Sequence, residues 1–402
     1  MQLAPEKAGF STSRLNWITD HINRNYIDPQ KIAGCQILVS RHGHPAYFQS
    51  FGQMDIERNK PMADDAIFRI YSMSKPITSI ALMQLYERGY FQLNDPVYRL
   101  VPEWRDHRVW VSGEGESMVT RAPETPITFR HILSHSGGLT YGESRHPVDQ
   151  MYKVHKVNRG KGETLSSFMQ KLAKVPLRYD PGQQWLYSLS TDVCGGLVEA
   201  ISGQPFDEYL KQNIFEPLGM DDTAFYVPEE KQDRLTANYN RNAEKKLELL
   251  DDPENSQYLK NPSFFSGGGG LTGTTADYYK FCEMLRRGGE LDGERMVGPR
   301  TLEMMHMNHL KGGQDLAQMA IGAFSETAYE GVGFGLGFAM TLDQVSAGGT
   351  GVGDYYWGGA ASTIFWVDPK EDLVAIFMTQ LMPSNTFNFR GQLKNIIYGA
   401  IA

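Results

Sequence analysis

The spacing of apolar residues predicts the first elements of the chain. Near the N-terminus apolar residues recur at helical spacing from Leu15 to Tyr26, which predicts an amphipathic helix over residues 11–26. Ser11 or Thr12 is expected to cap its first turn. One face of this helix is therefore apolar and suited to packing on a core.

The next apolar runs are shorter, as is typical of strands. Residues 37–40 and 46–51 predict two strands joined by a turn at residues 42–44. The run over residues 72–88 is longer and apolar on most of its sides, which is typical of a helix buried between layers. Gly89 is expected to end this helix.

The middle of the chain, from about residue 90 to 250, has few strand signals. Thr128 is expected to cap a short helix that ends near Leu133, and residues 192–201 predict a second helix. The charged stretch over residues 229–252 predicts a solvated surface segment.

Strand patterns return towards the C-terminus. Residues 333–340 alternate glycine with apolar residues, as in a strand. Residues 361–367 and 372–380 predict a hairpin, and residues 388–401 a closing helix.

Strands at both ends and helices between them predict an α+β fold. We expect one antiparallel sheet flanked by helices, built from residues 1–89 and 255–402. Residues 90–254 would form an inserted, mainly helical domain, with the active site where the two parts meet.

Composition limits the classes of function. A chain of 402 residues suits two structural parts that share an interface. The net charge of −8 argues against binding to nucleic acid or to an anionic membrane surface. The chain lacks an apolar run of membrane-spanning length, and its first residues lack the pattern of a signal peptide.

The three cysteines, Cys35, Cys194 and Cys282, stand far apart in the sequence. This spacing argues against a disulfide framework and a zinc site, and it favours a cytoplasmic location. We predict no cofactor and no metal, and make no prediction about the oligomeric state.

The first candidate for chemistry is Ser72, followed three residues later by Lys75. A serine and a lysine at this spacing share one helical face, and the helix start adds positive potential beside the serine. A desolvated lysine can act as a base towards such a serine. Alternatively, Ser72 is only a helix cap and Lys75 a surface residue, although a lysine on an apolar helix needs a reason to be buried.

Two further segments could complete such a site. Tyr187 lies in a predicted turn, and a tyrosine beside a lysine can exchange protons with it. Residues 356–360 contain paired glycines, Gly358 and Gly359, that allow a backbone to approach a ligand closely. The alternatives are a packed aromatic residue at Tyr187 and a tight turn at the glycines.

Five stretches in this order are more specific than any one of them. They are Phe-Arg-Ile-Tyr-Ser-Met-Ser-Lys at residues 68–75, His-Ile-Leu-Ser-His-Ser-Gly-Gly-Leu at 131–139, Pro-Gly-Gln-Gln-Trp-Leu-Tyr-Ser at 181–188, Ser-Gly-Gly-Gly-Gly-Leu at 266–271 and Trp-Gly-Gly at 357–359. Here the chain resembles the carboxylesterases of family VIII, which share the β-lactamase/transpeptidase-like fold of class C β-lactamases and DD-peptidases. The resemblance runs from about Phe10 to the C-terminus.

The resemblance implies a role for each candidate. Ser72 would be the acylated nucleophile, Lys75 and Tyr187 the general-base pair, and the backbone N–H groups of Ser72 and Ala360 the oxyanion hole. The residues expected to bind the substrate are Trp357, Gly358, Gly359 and Tyr141.

Departures from the β-lactamase pattern favour neutral esters. The chain has no Lys-Thr-Gly, and Trp357 stands where that lysine is expected; Leu189 replaces the usual asparagine two residues after the tyrosine. The chain also lacks Gly-x-Ser-x-Gly, which excludes the nucleophile elbow of the α/β-hydrolases.

Two other patterns have simpler explanations. His131 and His135 have metal-ligand spacing, but no third ligand accompanies them, so we expect structural roles. Residues 267–270 resemble a phosphate loop but lack its Gly-Lys-Ser/Thr, so a loop before a helix capped by Thr274 is expected.

The sequence therefore predicts a serine carboxylesterase for small-molecule esters with short or medium acyl chains. Three alternatives remain: an acyltransferase to an alcohol, a β-lactamase or DD-peptidase, and a non-catalytic binding protein of the same fold.

Overall fold

The structure is a computed structural model that describes residues 2–157, 160, 162–322 and 327–402. Its strands are β1 (Gly34–Arg41), β2 (His44–Asp55), β3 (Lys60–Pro61), β4 (Phe68–Arg69), β5 (Val109–Ser112), β6 (Val119–Arg121), β7 (Asn238–Arg241), β8 (Leu247–Asp251), β9 (Thr272–Gly273), β10 (Glu290–Leu291), β11 (Glu294–Arg295), β12 (Val332–Phe334), β13 (Ala339–Thr341), β14 (Tyr355–Gly358), β15 (Ile364–Asp368), β16 (Leu373–Thr379) and β17 (Leu381–Met382).

The α-helices share the space around these strands. They are α1 (Thr12–Leu15), α2 (Trp17–Ile22), α3 (Ser74–Glu87), α4 (Phe129–Leu133), α5 (Pro147–Val154), α6 (Leu165–Leu172), α7 (Ser190–Ser202), α8 (Phe206–Leu210), α9 (Glu216–Leu218), α10 (Thr275–Arg286), α11 (Pro299–Met305), α12 (Leu316–Met319) and α13 (Phe389–Gly399).

The main sheet has eight strands, in the order β12-β13-β14-β15-β16-β1-β2-β3. Its pairs are antiparallel, and β1 lies beside β16 with Cys35 opposite Thr379. Residues from both ends of the chain therefore build one sheet, as the sequence predicted. The division into two domains at residues 89 and 254 stays a prediction.

Helices cover both faces of this sheet. Neighbouring residues on a strand point to opposite faces. Phe365 of β15 contacts the ring of Tyr278 on α10, whereas Phe377, opposite Ile364 in the register, contacts the ring of Phe389 on α13. The sheet is thus buried between α10 on one face and α13 on the other.

Residues 74–85 of helix α3 are all buried, and only its last turn reaches the surface. It begins after a 3₁₀ turn at Tyr71–Met73, and residues after Glu87 leave the helix at Gly89, whose φ is +80°. The helix packs against α7, and the 3₁₀ turn packs against β14. The start of α3 therefore lies between strand β14 of the sheet and helix α7.

Several predicted elements have different bounds or forms. Residues 333–340 form two short strands, β12 and β13, because the chain reverses between Phe334 and Ala339. The N-terminal helix divides into α1, α2 and a π-helical turn, and Ser11 makes no capping hydrogen bond because its hydroxyl contacts Ser13.

The prediction of a solvated surface segment at residues 229–252 was correct for residues 229–234 and 240–252, which are exposed or half-buried, but wrong for residues 235–239, which are buried. Strands β7 and β8 form an antiparallel pair there, and β7 also pairs with β17. Asn238 and Tyr239 are buried, and the carboxylate of Asp251 forms an ion pair with the fully buried Arg69. Burial of that ion pair needs the segment to pack on the body of the protein.

Along the described residues, no helix combines the length and apolar character needed to cross a membrane.

Candidate active site

Ser72 lies in the 3₁₀ turn that precedes α3. Tyr71, just before it, has a φ of +42°, a left-handed conformation that residues with a side chain rarely adopt. The turn is closed by the Met73 N–H, which donates to the Ile70 carbonyl at 3.0 Å. The Ser72 side chain is thereby held at the helix start, with 8% of the residue exposed.

Lys75 is buried beside this serine, with 1% of the residue exposed. Its Nζ lies 3.1 Å from Ser72 Oγ and donates to the Gly268 carbonyl at 2.6 Å. The same ammonium stands 4.5 Å from the centre of the Tyr187 ring. A buried ammonium needs such partners because it has lost its hydration.

Tyr187 is held by backbone bonds on either side. The Leu186 N–H donates to the His135 carbonyl at 3.0 Å, and the Leu189 N–H donates to the Thr140 carbonyl at 3.4 Å. The indole N–H of Trp357 donates to Tyr187 Oη at 3.0 Å. These contacts fix the phenol between Lys75 and the sheet.

Aromatic rings surround Tyr187 and limit the access of water. The rings of His135, Tyr141 and Trp357 lie 4.9 Å, 5.5 Å and 5.2 Å from its own. Burial, and secondarily the charge of Lys75, hold the pKa of His135 well below its usual value. The imidazole is therefore neutral near pH 7 and adds no positive charge.

The two glycines at the end of β14 bring the end of this strand against the Ser72 turn. A Cβ at Gly359 would lie 2.5 Å from the Ile70 carbonyl oxygen and would also overlap Thr363 Oγ1. The Gly359 N–H is already engaged within the protein, because it donates to the Thr363 carbonyl at 2.7 Å. Within the described part of the chain, the N–H groups of Ser72 and Ala360 donate to no protein acceptor.

The loop over residues 266–271 supplies a contact that the sequence did not indicate. The Gly268 carbonyl is a partner of Lys75, and the Gly268 N–H donates to Asp192 Oδ1 at 3.1 Å. Asp192 also accepts from Ser266 Oγ at 2.6 Å. The run of glycines was the available signal, but it was interpreted only as a loop before the helix capped by Thr274.

The two histidines of the metal-like pair have other partners. His131 Nδ1 accepts from the Thr128 N–H at 3.3 Å within the cap of α4, and burial lowers the pKa of His131 to about 4. His135 Nδ1 lies 3.2 Å from Ser188 Oγ. Across residues 2–157, 160, 162–322 and 327–402, no group of three side chains suited to a metal ion occurs.

A cavity of about 290 Å³ borders Gly358 and Gly359 on the side of α13. A larger one, of about 370 Å³, lies beside Phe225 and Phe265 and contains none of the predicted site residues.

The predicted residues gather around the start of α3 and the end of β14. A hydroxyl, an ammonium and a phenol lie together there, with two unengaged amides on the neighbouring backbone. Such a set can activate a hydroxyl and hold a negatively charged oxygen.

Comparison with known proteins points in the same direction. The model of the family described as Beta-lactamase matches residues 20–395. Esterase EstB of Burkholderia gladioli is 28% identical over 386 residues, which cover 91% of this chain and 90% of that protein. Acyltransferase calJ of Penicillium decumbens is 28% identical over 331 residues, covering 80% of this chain and 78% of that protein.

Among solved structures, EstCE1, a hydrolase with promiscuous acyltransferase activity, superposes with a TM-score of 0.80. The two chains are 27% identical, and the match covers 96% of this chain and 99% of that one. These findings confirm the fold class and the resemblance to family VIII esterases that the sequence predicted.

Proposed function

Since the chain belongs to the Beta-lactamase family, we propose that it is a serine carboxylesterase that hydrolyses small-molecule esters through an acyl-enzyme on Ser72. The observation that carries the proposal is the buried contact of 3.1 Å between Lys75 Nζ and Ser72 Oγ, with Tyr187 against the same ammonium. The serine hydrolase fold and the esterase relatives agree with it.

Acylation requires the Ser72 proton to leave as the oxygen attacks. In the proposed mechanism Ser72 Oγ bonds to the ester carbonyl carbon, and its proton passes to the Lys75–Tyr187 pair. The pair then gives the proton to the leaving alkoxide as the ester bond breaks. The indole N–H of Trp357 stabilises charge on Tyr187 Oη during this exchange.

The tetrahedral intermediate carries a negative oxygen that needs donors. The N–H groups of Ser72 and Ala360 are proposed for this role, because neither is engaged within the described chain and Gly359 packs against Ile70. Donors that are already in place stabilise the developing charge without reorganisation. Water then attacks the acyl-enzyme with the same residues in reversed roles.

The identity of residue 357 favours neutral substrates. An indole presents one neutral donor on a large apolar body, so a substrate carboxylate would lose hydration without gaining a cation. The proposal is therefore an esterase for short or medium acyl chains rather than a β-lactamase or DD-peptidase.

A second candidate function is transfer of the acyl group to an alcohol. It is favoured by the similarity to calJ, an acyltransferase, and to EstCE1, a hydrolase with promiscuous acyltransferase activity. Both functions share the acyl-enzyme and differ only in whether water or an alcohol accepts the acyl group.

The proposal is tested by comparing Ser72→Ala with Ser74→Ala on p-nitrophenyl esters of graded chain length. Ser74 Oγ accepts from the Leu271 N–H at 3.2 Å and serves as a matched control two residues away. Ser72→Ala should lower kcat by roughly 10⁴-fold or more, whereas Ser74→Ala should stay within about tenfold. Adding an alcohol and measuring ester product separates hydrolysis from transfer. Full activity in Ser72→Ala would end the proposal.

A further inference from the structure

Asp192 is a fully buried carboxylate in the first turn of α7, close to the site but outside the roles proposed above. Its Oδ1 accepts from Ser266 Oγ at 2.6 Å and from the Gly268 N–H at 3.1 Å. The carbonyl of the same glycine, Gly268, accepts a hydrogen bond from Lys75 Nζ at 2.6 Å. One glycine therefore connects a buried carboxylate to the buried ammonium beside Ser72.

We propose that Asp192 is a positioning residue for the reaction, which fixes the Gly268 backbone so that its carbonyl holds Lys75 Nζ against Ser72 Oγ. The inference rests on the proposed function, because it concerns how the base of that reaction is aimed. It assigns Asp192 no contact with the substrate.

The absence of a side chain at residue 268 supports this arrangement. Gly268 does not have a positive φ, so its backbone conformation does not itself require glycine. A Cβ there would lie 3.0 Å from Asp192 Oδ2 and 3.3 Å from its Cγ. A methyl group at residue 268 would therefore press on the carboxylate, and Asp192 or the Gly268 backbone would have to shift by a few tenths of an ångström.

The neighbouring glycine provides a contrast. A Cβ at Gly269 would meet nothing nearer than the carbonyl carbon of Tyr71 at 3.7 Å, an ordinary contact. Gly269 also has no positive φ. A methyl group is therefore tolerated at residue 269 but crowds Asp192 at residue 268.

Other bonds tie the same loop to α3 without reaching Lys75. Thr78 Oγ1 donates to the Gly267 carbonyl at 2.8 Å, and the Leu271 N–H donates to Ser74 Oγ at 3.2 Å. These bonds hold the loop as a whole. The hydrogen bond to Asp192 is made by Gly268, the residue whose carbonyl contacts Lys75. Asp192 therefore positions the lysine, whereas the other two bonds only hold the loop on α3.

Asp192 also brings a negative charge into a buried site. The ionisable groups that face Lys75 from the packed segments include His135, Tyr141 and Tyr187. Beside Asp192, burial and then the charge of Asp192 raise the pKa of the Cys194 thiol. Removing this negative charge makes a proton on the Lys75–Tyr187 pair easier to lose.

The test compares Asp192→Ala and Asp192→Asn on a p-nitrophenyl ester, below the unfolding temperature of each variant. Asp192→Ala removes the acceptor and should lower kcat about 100-fold with KM changed less than about threefold. Asp192→Asn keeps an acceptor oxygen and should lose less of kcat.

The Asn variant also tests the effect of the charge. In a plot of kcat/KM against pH, the limb that rises with pH should move about one pH unit lower in Asp192→Asn, because the negative charge is gone. A general loss of packing would not shift this limb. A wild-type kcat in Asp192→Ala, or an unmoved limb in Asp192→Asn, would overturn the inference.

Variants at the two glycines keep the test decisive if the Asp192 variants do not fold. Gly268→Ala should lower kcat at least tenfold at unchanged KM, whereas Gly269→Ala should stay within about twofold. Equal kcat values for these two variants would contradict the inference.

Labelling with a fluorophosphonate separates this inference from the proposed function. If the wild-type protein is labelled on a residue other than Ser72, the proposed function fails. If Ser72 is labelled in the wild type and in Asp192→Ala at the same rate, only the positioning role of Asp192 is refuted.

Discussion

At the scale of single residues, the burial of Lys75 is the most informative feature. A lysine that is 1% exposed must exchange its hydration for fixed partners. Here the partners include a serine hydroxyl and a glycine carbonyl, with the ring of Tyr187 against the same ammonium. A lysine amine held this close to a serine hydroxyl is placed to accept its proton.

The first prediction concerns the pair formed by Lys75 and Tyr187. Lys75→Ala and Tyr187→Phe should each lower kcat roughly 10³-fold or more, and the double variant should be little worse than either. Two residues that share one proton act as a unit, so their losses do not add. Kinetics of the three variants on p-nitrophenyl butyrate provide the measurement. Additive losses would show that the residues work independently.

A second prediction concerns Trp357 and substrate class. The wild type should have a higher kcat/KM for p-nitrophenyl butyrate than for nitrocefin, because no cation stands at this position for a substrate carboxylate. Trp357→Lys should move the ratio towards nitrocefin. Trp357→Phe, which removes the N–H that donates to Tyr187 Oη together with part of the ring but adds no charge, is the control for loss of the indole. If nitrocefin is the better substrate of the wild type, the esterase proposal is wrong.

At the scale of elements, the site depends on the close approach of β14 to the turn before α3. The backbone of Gly359 lies directly against the Ile70 carbonyl, with no room for a side chain. In the proposed oxyanion hole, this contact is what places the Ala360 N–H beside Ser72. Neither element contains the site alone, since each supplies one of the two proposed oxyanion donors.

Gly359→Ala should therefore separate the two elements. The added Cβ would lie 2.5 Å from the Ile70 carbonyl oxygen, so the strand end must move away. We expect kcat to fall about 10²–10³-fold, as when an oxyanion donor is lost. Gly349→Ala, where a Cβ meets nothing within 4 Å, should keep wild-type kinetics. Equal activity of the two variants would contradict the proposed oxyanion hole.

The sequence predicted elements best where the local pattern decided the structure. Thr128 and Thr274 cap α4 and α10 through their side chains, as expected, because a cap is a local interaction. The sequence predicted elements poorly where contacts between residues far apart in the chain decide the structure. Strands β7 and β8 lie in a charged stretch and were missed, because pairing of β7 with β17 and of Asp251 with Arg69 joins residues far apart in sequence.

The same distinction applies to the site. The sequence could propose Ser72, Lys75 and Tyr187 as site residues because their motifs are local, and the structure brings these three side chains together. The link from Asp192 through Gly268 to Lys75 could not be proposed, since it joins three segments that only the fold brings together. The hydrogen bond from Trp357 to Tyr187 was missed for the same reason.

At the scale of the whole molecule, buried histidines make stability depend on pH. Burial lowers the pKa values of His107 and His131 to about 4, and that of His135 well below its usual value. Between about pH 6.5 and pH 4 the unfolded chain binds protons at these residues that the folded chain does not. The free energy of unfolding should therefore fall as the pH falls, by up to about 1.4 kcal/mol per pH unit for each histidine.

Urea unfolding at a series of pH values below about pH 6.5 checks this prediction. His107→Leu should make the dependence less steep, because it removes a buried imidazole whose pKa burial lowers to about 4. An unchanged slope in His107→Leu would show that this histidine titrates alike in both states.

The central claim is that Ser72 carries the acyl group during turnover. The most direct measurement is rapid acid quenching of the protein during hydrolysis of p-nitrophenyl butyrate, followed by mass spectrometry of its peptides. The account predicts the added mass of one butyryl group on the peptide that contains Ser72, at a level that rises within the first turnover, and its absence in Ser72→Ala. A butyryl group on another residue, or turnover with no acylated peptide, would contradict it.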